Sequence, residues 1–477
     1  LMSRTGAPAP APAPAATDAP VGRTGQSRIV LGLLVSAQFL VMLDASIVNV
    51  ALPSIQSELG FGPAAVTWVV NAYVLAFAGL LLLSGRAADL FGRRRMFIAG
   101  ASLFTAGTVL AASAVTQELL IAGRVVQGIG AAGLSPAAMS LLLATFPAAQ
   151  RARALGAWGA ASTLGGATGV VTGGVLAGTV GWRAVFLVTV PVSLGAVALA
   201  RRALIVDPPP GRRGVDWTGA IAVTGALVAL VHGAVDAVDH AWTSPRVLGV
   251  LVASMVLMVL FVVVERRSAD PLVPLHLFRS RVLRRSTVLA LLGGASRAST
   301  FVLVALSLQQ VLAMAPEQAG LAMVPTSLMG FAVSLVVLPR VLETVGPARS
   351  IVLGLVVLAS GHLWLAYAPA GSGYAVAVLP GLLLVATGVA LSFTPTTMVL
   401  AAAVPATHTG LASGLAGASM QIGGALGTAA FIVVGVSAGR QAGGALDASG
   451  FAAAFTAAAV VALGTAALGL GLIRSRA

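Results

Sequence analysis

The sequence predicts an all-α, polytopic membrane protein of fourteen transmembrane helices, built as two six-helix halves with two further helices inserted between them. Composition, recurring apolar runs and an internal repeat predict it. Of the 477 residues, 58% are hydrophobic and 9% are charged, where a soluble domain carries about a quarter charged residues. Apolar runs recur from residue 29 to residue 473. Fourteen of them, at about 20 residues per membrane-crossing helix, occupy about 280 positions. The remainder suffices for short loops and a tail, not for a second soluble domain.

Charges and Pro/Gly breaks delimit the runs as 29–52, 64–84, 96–115, 119–146, 154–178, 183–204, 216–236, 245–264, 285–311, 318–338, 350–367, 374–401, 409–436 and 451–473. The halves are then 29–204 and 285–477, and 205–284 is an inserted region with spans seven and eight and a cytoplasmic loop. Residues 1–28, with Ala-Pro repeats at 7–14, lack the charged-then-apolar order of a signal peptide. They are expected to form a disordered cytoplasmic tail. Trp68, Trp182, Trp217 and Trp242 fall near span ends, where amphipathic rings suit the membrane interface.

The arginines set the orientation. All 28 basic residues are Arg, and an even number of spans places both termini on one side. With that side cytoplasmic, 23 arginines are inside; Arg183, Arg246 and Arg440 lie outside, and Arg124 and Arg297 lie within spans. The split obeys the positive-inside rule. Orientation and attraction to anionic headgroups account for the net charge of +14 without nucleic acid. Without Lys there is no Walker A loop, hence no nucleotide, and no Schiff base. Without Cys there is no thiol catalysis, disulfide or thiolate metal site. No segment gathers a nucleophile-base pair or a metal-ligand set, so no enzymatic activity, metal or cofactor is expected.

The repeat fixes the architecture. At a constant offset of 258, Pro147 matches Pro405, Gly156 matches Gly414 and Gly159 matches Gly417. Gly165, Gly166 and Gly169 match Gly423, Gly424 and Gly427 at the same offset. Asp89, Gly92 and Arg95 have counterparts in Glu343, Gly346 and Arg349, offset by 254. Both echoes relate span n to span n+8. Two parallel halves with a site between them suit alternating access.

Several motifs give this architecture a family likeness. Residues 43–53 (LDASIVNVALP) form a first-helix signature, and residues 85–95 (GRAADLFGRRR) a loop motif between spans two and three. Arg124-Val125-Val126-Gln127-Gly128 with Gly130, Ala131 and Ala132 marks the fourth helix. Gly165, Gly169, Gly173 and Gly174 mark the fifth, and Trp182-Arg183 with Phe186 and Pro191 the entry to the sixth. In this order they resemble the major facilitator superfamily, and closely its fourteen-spanner drug:proton antiporter branch, over nearly everything from residue 29 onward. The resemblance implies the major-facilitator fold and a proton-coupling role for Arg124. It also implies that the fifth-helix glycines belong to an antiporter motif. Ala87 stands where the loop motif has Leu, and Val170 where the antiporter motif has Pro; the second departure leaves transport direction open.

Asp44 is the acid placed well inside a span. Insertion of an acid at a helix centre costs about 2.5–3.5 kcal/mol, so a retained one usually has a task. A carboxyl there can load and release protons; the alternative is a neutral Asp hydrogen-bonded to Asn49 or a neighbouring helix. Arg124 and Arg297 must face the bundle interior, and the sequence allows Arg297 to pair with Asp44 across the halves. Gly85, Asp89, Gly92, Arg93, Arg94 and Arg95 compose a candidate conformational latch: Asp89 near a helix terminus, with an Arg from a neighbouring helix, would hold one state of a two-state equilibrium. Gln38, Met42, Asn49, Asn71, Arg297, Gln309, Met420 and Gln421 are candidates for lining a broad apolar substrate pocket, with ordinary packing as the alternative. His232 and His362 are expected to be packing residues.

The expected function is proton-coupled efflux of hydrophobic, cationic or amphiphilic drugs or antibiotics from a bacterial-type plasma membrane. A proton-coupled importer on the same fold and a non-transporting scaffold or sensor are the alternatives. Expected partners are the small-molecule substrate, protons and the lipid bilayer, and the working unit is a monomer.

Overall fold

The computed structural model describes residues 24–62, 65–204, 216–239, 243–268, 270–368, 373–439 and 446–474. The Ala-Pro repeats, Trp242 and Arg440 lie outside them. Among the described residues, fourteen helices are long and apolar enough to cross a membrane. They are α1 (Ser27–Leu59), α2 (Ala65–Phe91), α3 (Arg93–Ala112), α4 (Gln117–Thr145), α5 (Gln150–Thr179), α6 (Trp182–Ala203) and α7 (Trp217–Ala234). There follow α8 (Pro245–Arg267), α9 (Arg281–Gln310), α10 (Gln318–Thr344), α11 (Gly346–Tyr367), α12 (Gly373–Ala401), α13 (Thr409–Ala438) and α14 (Ala448–Ile473). Among the described residues no β-strand forms. A helix satisfies every backbone group within itself, which lipid demands. The helix of α1 already begins at Thr24, so the expected tail ends before residue 28; backbone bonding carries the helix one turn past the apolar run.

Fourteen crossings return the chain to the face from which it started. Of the described arginines, Arg183 and Arg246 stand at helix ends on the opposite face, and Arg124 and Arg297 are buried within spans. The others gather at the face where α1 begins, here the arginine-rich face.

The two halves pair their helices alike. In the first, α1 packs on α5, α3 on α4, α2 on α4, and α6 on both α3 and α1. Eight helices later the pattern recurs: α9 on α13, α11 on α12, α10 on α12, and α14 on both α11 and α9. The halves meet along two seams, α2 against α13 and α5 against α10. The inserted α7 and α8 pack on each other, and α7 lies against α2 and α13. One seam is thereby covered and the other is not.

Small residues let these backbones approach where lipid offers no hydrophobic drive to association. A Cβ at Gly100 in α3 would sit 2.5 Å from the Leu134 amide nitrogen in α4. On the α5–α10 seam, α10 winds a π-helical turn at Val333–Val337. The Ser334 carbonyl there comes within 2.7 Å of where a Gly156 Cβ would be, and Pro339 Cγ within 3.0 Å. Gly92, at φ 97°, joins α2 to α3 without a spacer, in a conformation that favours glycine.

Polar ties brace both faces. Opposite the arginine-rich face, Glu58 accepts from Trp182 Nε1 at 2.8 Å and pairs with Arg183, which also donates to the Ala114 carbonyl at 2.9 Å. On that face too, Arg246 Nε lies 2.9 Å from Asp236, on the extension of α7 to Asp239. On the arginine-rich face, buried Glu265 accepts from the Leu272 and Val273 amides at 2.9 and 3.1 Å. Arg86 of α2 donates to the neighbouring Pro271 carbonyl at 3.2 Å.

Candidate functional site

Asp44 faces the interior of the first half and is 0% exposed. Its Oδ2 accepts from Arg124 Nη1 at 2.8 Å and its Oδ1 from Gln127 Nε2 at 2.6 Å. Arg124 and Gln127 are three residues apart on α4 and therefore share a helix face. Arg124 Nη1 also donates to Gln127 Oε1 at 2.6 Å, and Nε to the Val69 carbonyl of α2 at 2.9 Å. Gln127 Nε2 reaches Thr108 Oγ1 of α3 at 2.8 Å. The guanidinium lies over the Tyr73 ring, 4.3 Å from its centroid, with the Phe186 ring at 5.9 Å. Five helices thus converge on one ion pair, and burial makes its partners interdependent: removing one leaves the other charged and unsatisfied.

The fifth-helix glycines set the position of Asp44. A Cβ at Gly165 would stand 2.6 Å from the Phe39 carbonyl, at Gly169 2.8 Å from that of Leu43, and at Gly173 2.8 Å from that of Ile47. Those carbonyls are four residues apart on α1, on either side of Asp44 along the helix. Gly174 is looser, with Val50 at 3.8 Å. Val170, in the place of the motif proline, meets α10, where a Gly320 Cβ would be 3.1 Å from its Cγ1.

The latch candidates gather where α2 meets α13. Asp89 Oδ1 and Oδ2 accept from the Gly410 and Leu411 amides, each at 2.8 Å. These are free donors of the first turn of α13, where the helix dipole favours negative charge. Arg93 Nη2 donates to Thr409 Oγ1 at 2.8 Å. Gly85 faces the Gly410 carbonyl so closely that no side chain fits, and its Cβ would be 3.0 Å from Gly414 Cα. Arg94 turns instead to the Ala200 and Arg201 carbonyls at the end of α6, and Arg95 is exposed.

The substrate-lining candidates have the following neighbours. Gln38 is buried and donates to Ser162 Oγ at 2.9 Å. Asn49 bonds the Ala45 carbonyl of its own helix at 2.8 Å, not Asp44, and Gln309 bonds the Ala305 carbonyl of its own helix at 3.2 Å. Met42, Asn71 and Gln421 are half-buried. Met420 is buried, its backbone against Gly294. Arg297 does not pair with Asp44: it stays within the second half, Nη1 3.3 Å from Ser392 Oγ and Cζ 5.9 Å from the Phe393 centroid. Asp44 finds its countercharge on the adjacent α4, and a nearer partner wins. A groove of about 510 Å³ between α3 and α6, lined by Ser102, Ala106, Val109 and Leu194 among others, lies within one half and includes none of these candidates. His232 packs against Trp68, and His362 against Phe455 with its Nε2 2.6 Å from Thr300 Oγ1.

Gln127, Tyr73, Thr108, Thr409 and Gly410 were not picked out as site residues from sequence. Gln127 alone carried a signal, its place in the fourth-helix motif three residues after Arg124.

Two six-helix halves related helix by helix, meeting along two seams, with a buried ion pair in one and charge-assisted bonds across the junction, define a secondary-transporter fold. The chain belongs to the Major Facilitator Superfamily, whose family description matches residues 34–428. It is 37% identical over 450 residues to the cephamycin export protein of Amycolatopsis lactamdurans, covering 94% of this chain and 92% of that one. It is 36% identical to the puromycin resistance protein of Streptomyces alboniger, covering 86% and 82%. The lincomycin resistance protein of Streptomyces lincolnensis is 34% identical, covering 86% and 84%. In fold it is similar to a human organic anion transporter, with TM-score 0.68, 15% identity and coverage of 94% and 100%. The fold expected from sequence is the one found, and transport rather than bond chemistry is the family's business.

Proposed function

We propose that this chain exports a hydrophobic or amphiphilic small molecule across the plasma membrane in exchange for inward-moving protons. It works as a monomer by alternating access, with the arginine-rich face and both termini cytoplasmic. The buried Asp44–Arg124–Gln127 cluster carries this reading. Protonation of Asp44 from outside removes the charge that holds Arg124, so α1 and α4 gain a second arrangement; release of the proton inside restores the first. Asp89 on the first turn of α13 holds the cytoplasmic side shut in the arrangement seen.

Relatives named for antibiotic export and resistance support the outward direction. The asymmetry of the arginines supports the orientation. A membrane potential supplies about 2.3 kcal/mol per charge per 100 mV, enough for uphill efflux without nucleotide. Asp44 is paired with Arg124, so this reading does not rest on a carboxylate that binds the substrate as a cation. In inverted vesicles, acidifying the lumen should drive accumulation of a resistance-profile substrate by wild type and not by Asp44→Asn. Loss of substrate from a preloaded lumen under the same gradient would instead mark an importer.

A further inference from the structure

We propose that Arg297 is the anchor of an anion subsite in the second half, so that the transported compounds are organic acids with an apolar body. The inference rests on the transporter reading and adds a substrate class to it.

By their packing, α9 and α12 are the counterparts of α1 and α4. The α1–α4 contact holds an acid and a base that neutralise each other. Among the described residues, the α9–α12 contact holds a base without an acid. Arg297 is 4% exposed, its Nη2 has no hydrogen-bond partner among the described residues, and its Nη1 has the hydroxyl of Ser392 at 3.3 Å. Acids of the second half are Glu317, Glu343 and Asp447, each at an end of a span by sequence position. A guanidinium out of water without a countercharge is costly, and it is retained where something supplies that charge.

The surroundings accommodate the group rather than merely tolerate it. A Cβ at Gly293, one turn back on α9, would lie 2.7 Å from Arg297 Nη1, 3.0 Å from Nη2 and 3.1 Å from Cζ. The helix wall is cut away where the guanidinium folds against it, and any larger residue would push it out. Ser392 Oγ donates to the Gly388 carbonyl at 2.7 Å, so its lone pairs orient Nη1 without supplying charge. The Phe393 ring beside the guanidinium offers an apolar neighbour. A planar fork with a free Nη2 suits a carboxylate, which accepts two parallel N–H bonds. A cation placed there would face like charge.

The test uses three fluorescent amphiphiles that share one apolar body: 1-pyrenebutyrate, its methyl ester and 1-pyrenebutylamine. Binding to the purified chain in lipid nanodiscs is titrated by fluorescence. Wild type should bind the carboxylate at least about tenfold more tightly than the ester, the scale of one charge-assisted hydrogen bond, and the amine most weakly. Arg297→Gln should abolish the carboxylate-over-ester ratio, and Arg297→Lys should keep part of it. Gly293→Ala, which leaves the charge but displaces it, should lower the ratio and stands in if Arg297→Gln fails to fold. Pyrenebutyrate should raise the melting temperature of wild type and not of Arg297→Gln. An unchanged ratio in Arg297→Gln, or tightest binding of the amine, overturns the proposal. A purely structural Arg297 would lower the melting temperature on substitution while leaving the ratio intact. Asp44→Asn should keep the ratio, so failure of proton coupling and failure of the anion subsite are read separately.

Discussion

Asp89 can be tested as a latch with numbers taken from its contacts. Its two oxygens each accept one amide of α13 at 2.8 Å. Asp89→Asn leaves one acceptor, turns an NH₂ toward a donor and removes the charge at a helix N-terminus. A hydrogen bond to a charged group is worth about 1.5–3 kcal/mol, and the dipole adds about 0.3–1 kcal/mol. Taking about 2 kcal/mol as the net loss, the ratio of latched to unlatched states falls about 30-fold. A ratio of about 100 becomes about 3, and the unlatched population rises from about 1% to about 25%. Ser140, fully buried on α4 beside Thr409, reports that opening. The chain contains no Cys, so Ser140→Cys is a lone thiol without further engineering. Its labelling by an impermeant maleimide in inverted vesicles should quicken about 25-fold when Asp89→Asn is added. Transport should slow more than substrate affinity falls. Labelling that changes by less than about threefold while transport is lost would refute the reasoning.

Other outcomes follow from the same contacts. Asp44→Asn should abolish proton-driven efflux while the protein still inserts and purifies; wild-type transport by this variant in vesicles would remove Asp44 from the mechanism. Arg124→Gln leaves Asp44 buried without its countercharge and should cost about 3–5 kcal/mol, read as a large fall in melting temperature that Asp44→Asn partly restores in the double variant. Gly85→Ala drives a methyl against the Gly410 carbonyl, an overpacking cost of about 1–3 kcal/mol; it should unlatch the Ser140→Cys reporter as Asp89→Asn does. Glu265→Ala frees two buried amides and should raise proteolysis between α8 and α9, measured by cleavage-site mapping.

Span number, the paired halves and the burial of Asp44 and Arg124 were legible in the sequence because lipid leaves few choices: helices must be apolar, and internal charges must turn inward. The partner of Asp44 was not legible. Arg124 and Arg297 are equally arginines within spans, and only the packing of α1 against α4 places one of them 2.8 Å away. Asp89 stood out as a latch candidate, but the donors it binds are backbone amides of α13, which carry no residue-type signal. The partners of two substrate-lining candidates were not legible either. Asn49 and Gln309 satisfy themselves on their own helices, a local option that spacing cannot distinguish from a turn toward a cavity.

The π-helical turn at Val333–Val337 has a geometric corollary. It holds one residue more than an α-turn, so everything after it on α10 is rotated by about 100° relative to an uninterrupted α-helix. Pro339 and Ser334 touch the same glycine of α5 because of that offset. Deleting one residue within the bulge would restore ordinary pitch and swing Pro339 off Gly156. The uncovered seam between the halves thus depends on a miscount built into one helix, and a single codon separates it from its regular form.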